Sequence, residues 1–313
     1  MTRSLLRQNW RNCRVALPIA AAVLLLIAML MPEVRMTRAV PQVIVVLDVS
    51  QSMNTIDCRL DRTEAPVSRL ACVKDALAYA LREMPCGSQV AWGVFVGNQT
   101  YVLAAPIEVC AHRGELVDSL AHLDWRISWE SGSRIGGALV SALRLLPTMV
   151  GENVPVPGLV FVTDGQEAPR LSARNRRRAE DYAGKVHGVV VGVGGDTLTP
   201  MPKYDMDGNY LGPWQPDDVP QVDVTAYRAG SSVPGEKMVG EEEEPPSGIE
   251  HLSSLKEEYL QLLARDAQLD YRRLARRDDM AEALRAQSVR RPLSIDTDLR
   301  WIPAGLALLL LFA

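Results

Sequence analysis

The chain has no Gly-x-x-x-x-Gly-Lys phosphate loop, no Gly-x-Ser-x-Gly elbow and no His-Glu-x-x-His pair, which removes the commonest nucleotide-hydrolysing, serine-esterase and zinc-protease signatures. Its five cysteines include no Cys-x-x-Cys and its four histidines no His-x-x-x-His, so a zinc site has no sequence support, and His112 and His122 read as surface or packing residues. A net charge of −4 leaves no basic stripe fit for a phosphate backbone. The local exception, Arg176-Arg-Arg178 with Arg170 and Arg174, reads as a solvated helix face.

What is present begins at Val43-Ile-Val-Val-Leu-Asp48-Val-Ser50-Gln-Ser52-Met53. A β-branched run ending in one carboxylate and two hydroxyls at alternate positions reads as a buried strand delivering oxygen ligands to its carboxyl end. Such hard donors favour Mg²⁺ or Mn²⁺ over softer metals. Gly132-Ser133-Arg-Ile-Gly136-Gly137 puts a hydroxyl on a Gly-rich loop that opens a helix, and Leu159-Val-Phe-Val-Thr163-Asp164-Gly165 ends a second apolar strand in a carboxylate and a turn glycine.

These three loops, in this order, resemble the von Willebrand factor A (VWA) domain, whose metal-ion-dependent adhesion site is built from D-x-S-x-S, a Thr and an Asp. The resemblance implies Asp48, Ser50, Ser52, Ser133 and Asp164 as metal ligands. The departure is Ser133 where the family more often has Thr: the oxygen is kept and the methyl that stiffens χ1 is lost.

Four arginines, Arg3, Arg7, Arg11 and Arg14, precede the apolar stretch 15–31, and no small-x-small cleavage pattern follows it before Pro32-Glu33. The stretch reads as an uncleaved anchor, with a cytoplasmic tail over 1–14 and the rest of the chain in the periplasm of a bacterium. The tail 301–313 is also apolar, but about 13 residues at about 1.5 Å each span only about 20 Å, which suits a thin second span or a half-inserted segment. Cys58, Cys72, Cys86 and Cys110 follow the anchor. An even count in an exported domain suggests disulfides: Cys86 and Cys110 bracket two adjacent strands, which leaves Cys58 and Cys72 as a second pair.

Between 41 and 290 the pattern alternates strand and helix, predicting an α/β, doubly wound, mostly parallel sheet. Helices are expected over 68–82, 112–123, 134–146, 171–183, 252–265 and 278–287, and strands over 157–163, 185–193 and 269–274. A hairpin at 89–96 and 100–104, turning at Gly97-Asn98, supplies an antiparallel edge strand. From 195 to 250 the prolines, glycines and Glu241-Glu-Glu-Glu244 read as an irregular insertion whose latter half is mobile. Within it Asp205-Met-Asp207-Gly-Asn209 has a faint calcium-loop look, but an EF-hand there would need Gly and Glu where Tyr210 and Pro216 stand.

The whole chain resembles, more narrowly, the membrane-anchored VWA proteins of methanol-oxidation gene clusters, the MxaL type. The segments that carry this are Asp48-Val-Ser-Gln-Ser-Met-Asn54, Pro66-Val-Ser-Arg-Leu70, Leu81-Arg-Glu-Met-Pro-Cys-Gly-Ser88, Glu108-Val-Cys-Ala-His112, Ala121-His-Leu-Asp-Trp-Arg126, Thr163-Asp-Gly-Gln-Glu-Ala-Pro169 and Val191-Gly-Val-Gly-Gly195. That resemblance implies a role in maturing the calcium- and quinone-dependent methanol dehydrogenase, at metal insertion or assembly. The expectation is a non-enzymatic docking module whose metal takes a partner's carboxylate. Two competing readings are a metal-dependent hydrolase using Asp48 as nucleophile or base, and a subunit of a cytoplasmic ATPase partner. The first lacks a general acid and a second carboxylate or lysine in any nearby motif, and the second conflicts with the expected topology.

Overall fold

The computed structural model describes residues 2–61, 63–130, 132–152, 154–168, 179–219 and 249–312, with side chains of the first helix described from Ala16 onward. In chain order the first half holds α1 (Thr2–Leu30), β1 (Val34–Asp48), β2 (Ile56–Cys58), β3 (Val67–Ser68), α2 (Arg69–Glu83), β4 (Gln89–Val96), β5 (Gln99–Val102), β6 (Ile107–Glu108), α3 (Arg113–Ala121) and α4 (Ile135–Leu145). There follow β7 (Gly158–Thr163), β8 (Gly188–Gly192), β9 (Thr199–Pro200), β10 (Pro202–Tyr204), β11 (Tyr210–Pro213) and β12 (Leu252–Ser253). The chain closes with α5 (Glu257–Ala267), β13 (Asp270–Arg273), α6 (Arg277–Arg285), β14 (Arg290–Thr297) and α7 (Trp301–Phe312).

Two compact units form, one from residues 40–291 and one from 1–39 with 292–313. In the larger, the strand order is β13-β8-β7-β1-β4-β5, parallel throughout except at the β4/β5 edge, where Val96 pairs Gln99 across Gly97-Asn98. The run Val43–Leu47 is central because it can be buried on both faces, as β-branched residues of parallel sheets are. Val43, Val45 and Leu47 pack with Val73 and Leu77 of α2 and Met280 and Leu284 of α6, whereas Ile44 and Val46 pack with Leu139 and Leu143 of α4 and Leu260 and Leu263 of α5. Each fully buried leucine of this kind contributes about 2 kcal/mol of burial, and α2 starts where Ser68 accepts the Ala71 N–H at 3.2 Å. Since the chain leaves β1 toward β4 on one side and meets β7 on the other, the carboxyl end of β1 is a topological switch point. The disulfides Cys58–Cys72 and Cys86–Cys110 join β2 to α2 and the end of α2 to the segment after β6.

In the smaller unit, the first part of β1 pairs with β14, and Arg35 Nε lies 3.1 Å from Asp296 Oδ1. Arg300 Nε donates to the Met31 carbonyl at 3.0 Å. Leu25, Leu26, Met29 and Leu30 of α1 and Leu306, Leu308, Leu309 and Phe312 of α7 are exposed. Among the described residues no helix is long and apolar enough to cross a membrane, so the two expected membrane segments find no support in the structure.

Several expectations are adjusted. Strand β1 begins at Val34, well before the apolar run, and β14 was not foreseen. Polar residues and Pro41 mask the early part of β1, which is exposed up to Ala39. The insertion is partly ordered: β10 and β11 form a hairpin and β9 pairs β12. Residues 220–248 of the insertion and 171–178 of the expected arginine-rich helix lie outside the described residues, while Glu180–Tyr182 is a single 3₁₀ turn.

Candidate metal centre

The central strand delivers Asp48 fully buried, and the chain then passes through extended Ser50 into a 3₁₀ turn at Gln51–Asn54. That turn folds the hydroxyls back. Asp48 Oδ1 accepts the Ser50 N–H at 2.8 Å, and the Ser50 and Ser52 Oγ atoms share a hydrogen at 3.0 Å. The other Asp48 oxygen accepts from Thr163 Oγ1 at 2.6 Å, which ties the first loop to the end of β7. Burial, and then the charge of Asp164, push the Asp48 carboxyl up to about 7 from an ordinary value of 3.8. Asp48 therefore carries a buried charge cost that a bound cation would offset, whereas Asp164 already meets the Arg69 guanidinium.

Asp164, also fully buried, opens the third loop. Its Oδ1 accepts the Gln166 N–H at 2.9 Å, and the turn is completed by Gly165 at φ +80°, a conformation that favours glycine. Ser133 arrives from the second loop between two strand ends: it bridges to Gly97 just beyond β4, and its N–H and C=O pair with Ala168, each at 2.8 Å. In the β1/β4 register Asp48 faces Phe95, two residues before Gly97, so Ser133 stands at the same carboxyl end of the sheet. Ser133 Oγ is buried and has no hydrogen-bond partner among the described residues.

Five oxygens, two of them carboxylate groups and one an orphaned hydroxyl, suit a hard divalent cation, and Asp48, Ser50, Ser52, Ser133 and Asp164 are the side chains that would hold it. A bound Mg²⁺ or Mn²⁺ would supply a Lewis-acid position for an incoming oxygen. The chain's own part is to bury the two carboxylates and turn the Ser50 and Ser52 hydroxyls toward each other.

Two residues of this region went unnoticed in the sequence. Glu167 accepts at Oε1 from the Gly136 N–H at 3.0 Å and from the Tyr259 hydroxyl at 2.6 Å, so it caps the start of α4 and ties the second loop to the third; burial raises its carboxyl. Arg69 is wholly buried. It donates from Nη1 to Asp164 Oδ2 at 2.5 Å and to Ser253 Oγ at 2.6 Å, and it forks onto Asp57 from Nε at 2.9 Å and Nη2 at 2.6 Å. The available signal was a cation in the first turn of a helix, on its apolar side, where the macrodipole disfavours positive charge unless a carboxylate is near.

Among the described residues, Cys86, Glu108 and Cys110 cluster, but the sulfurs are joined and Glu108 accepts the Gly87 and Ala111 N–H groups, each at 2.6 Å. Asp205 accepts from the Asn209 N–H and Nδ2, each at 2.8 Å, which builds a hairpin turn.

Fold and site together define an α/β domain with carboxylate and hydroxyl oxygens gathered at the switch point of its sheet. Residues 43–166 match the model of the von Willebrand factor type A domain. Among solved structures, an aerotolerance-related membrane protein from Bacteroides fragilis NCTC 9343 with multiple mutations to serines superimposes with a TM-score of 0.50 at 17% identity, covering 80% of this chain and 98% of that one. A von Willebrand factor type A protein from Catenulispora acidiphila covers 88% of this chain and 46% of its own at 14% identity, with a TM-score of 0.43. No curated protein matches the sequence.

Proposed function

We propose that this chain is a membrane-anchored, periplasm-facing docking module that binds Mg²⁺ or Mn²⁺ at Asp48, Ser50, Ser52, Ser133 and Asp164 and completes the ion's shell with a partner's carboxylate. The observation that carries the reading is that Asp48 and Asp164 are buried close enough for the charge of one to raise the other, at the strand ends where Ser133 Oγ has no hydrogen-bond partner among the described residues. Domains of this type are often non-catalytic interaction modules, which favours docking over hydrolysis. The basic tail and apolar stretch 15–31 support an anchor with the domain outside the cytoplasm.

The partner follows from the likeness to the MxaL-type proteins: methanol dehydrogenase or another protein of its maturation, with the module acting in assembly or calcium insertion. A crosslinking pull-down from membranes, run with and without EDTA and with Asp48→Ala, tests this. The chelator and the substitution are expected to release the same proteins. Partners retained under both conditions would refute the docking mechanism, and an inactive alkaline-phosphatase fusion after residue 40 would refute the periplasmic placement.

A further inference from the structure

Asp164 does not face the pocket with its charge free. Its Oδ2 already accepts the Arg69 guanidinium, whose remaining nitrogens clasp Asp57, and Asp57 Oδ2 is held in turn by the Gly195 N–H at 3.0 Å. Space for the guanidinium is made by Gly194, at φ +127°, where a Cβ would lie 2.6 Å from Arg69 Nε. Both the arginine side chain and that of Asp164 are fully excluded from solvent, so neither charge is screened by water.

Building on the metal reading above, we propose that Arg69 is an internal counter-charge that sets how tightly the chain alone holds its divalent ion. A cation bonded to one of the two carboxylates lowers the pull of the pocket on a second cation. The ion is therefore held weakly by the chain and keeps positive charge to spend on a partner's carboxylate. Asp57, outside the ligand set, acts through Arg69 with the opposite sign.

Charge and hydrogen-bonded positioning predict different orders of affinity. If Arg69 acted only by orienting Asp164, every loss of its contacts would weaken the ion. If it acts as a counter-charge, Arg69→Gln tightens binding, Asp57→Asn loosens it, and the double variant, which removes one charge of each sign, falls between them.

The measurement is titration of the full-length detergent-purified protein with Mg²⁺ and, separately, Mn²⁺, by calorimetry and by the electron paramagnetic resonance of free Mn²⁺. Arg69→Gln is expected to lower Kd by about tenfold or more and Asp57→Asn to raise it by a similar factor, as befits one poorly screened charge near the ion. Arg69→Lys, which keeps the charge and loses the fork, stays within about threefold of the parent. The double variant removes one buried charge of each sign and so keeps the net charge of the cluster, and its Kd, predicted within about threefold of the parent, decides the matter even where Arg69→Gln fails to fold. A double variant weakened tenfold, or an Arg69→Gln that binds more weakly than the parent, overturns the counter-charge. Asp48→Ala is the reference: if the parent binds neither metal, or binds them as well without Asp48, the metal centre itself is refuted and the inference falls with it.

Discussion

Replacing Asp48 by Asn should make the metal-free protein more stable while removing its response to metal. The carboxyl is displaced from 3.8 to about 7, mainly by burial and then by Asp164. A shift of about three units at about 1.4 kcal/mol each corresponds to an upper bound of about 4 kcal/mol of folding free energy. The sign follows from proton binding: between the two values the folded state holds the proton and the unfolded state has lost it, so stability falls as pH rises from about 4 to about 7 and levels above that. Asparagine carries no charge and escapes this loss. Its Oδ1 still accepts the Ser50 N–H, but an amide in place of Oδ2 disturbs the hydrogen bond from Thr163 Oγ1, which also accepts the Gly165 N–H at 3.0 Å. Losing that bond costs about 1–2 kcal/mol, which leaves a net gain of about 2 kcal/mol at pH 8 and a net loss at pH 4. Chemical denaturation in EDTA at the two pH values reads the difference, and thermal unfolding with saturating Mg²⁺ should stabilise the parent and leave the variant unmoved. A variant equally destabilised at both pH values, or one that Mg²⁺ still stabilises, would refute the reasoning.

Ser133→Thr should keep metal binding because the hydroxyl stays, whereas Ser133→Ala should weaken it at least about tenfold, as calorimetry would show. Removing the Cys58–Cys72 bridge by a double serine substitution should cost about 3 kcal/mol, the chain entropy of a loop whose ends are 14 residues apart, measured as a shift in the denaturation midpoint. Glu167→Ala removes an acceptor from the Gly136 N–H and from the Tyr259 hydroxyl and should cost about 1–3 kcal/mol in thermal unfolding, with Glu167→Gln milder because Oε1 remains.

Local pattern carried much of this to the reader of the sequence. The β-branched run before Asp48, the hairpin turning at Gly97-Asn98 and the helix capped by Ser68 are each written in adjacent residues, and they appear within a few residues of where periodicity puts them. The candidate ligands came from three loops read in order, since a carboxylate or hydroxyl after a single apolar strand suits an ordinary turn equally well. What escaped depends on long-range partners. Arg69 meets Asp164 from 95 residues away and Ser253 from 184. Its place in the first turn of a helix hints at a nearby carboxylate, but no local window names which one. Glu167 hides likewise, because its cap serves a helix that begins 32 residues earlier. Strand β14 completes its ladder with residues near the other end of the chain, and its alternating burial is too shallow to stand out from a loop.

The two disulfides also change how the chain can be cut. Cys72 lies within α2 and Cys86 just past its end, so the span from Cys58 to Cys110 is two covalent rings joined through that helix. A protease that nicks the backbone inside either ring opens it without releasing a fragment, and the severed chain still runs at full mass on a non-reducing gel. Only a cut between the rings, within the packed turns of α2, or one outside them divides the protein, so the segment linking the first candidate ligand loop to the β4 edge is the part best guarded against trimming.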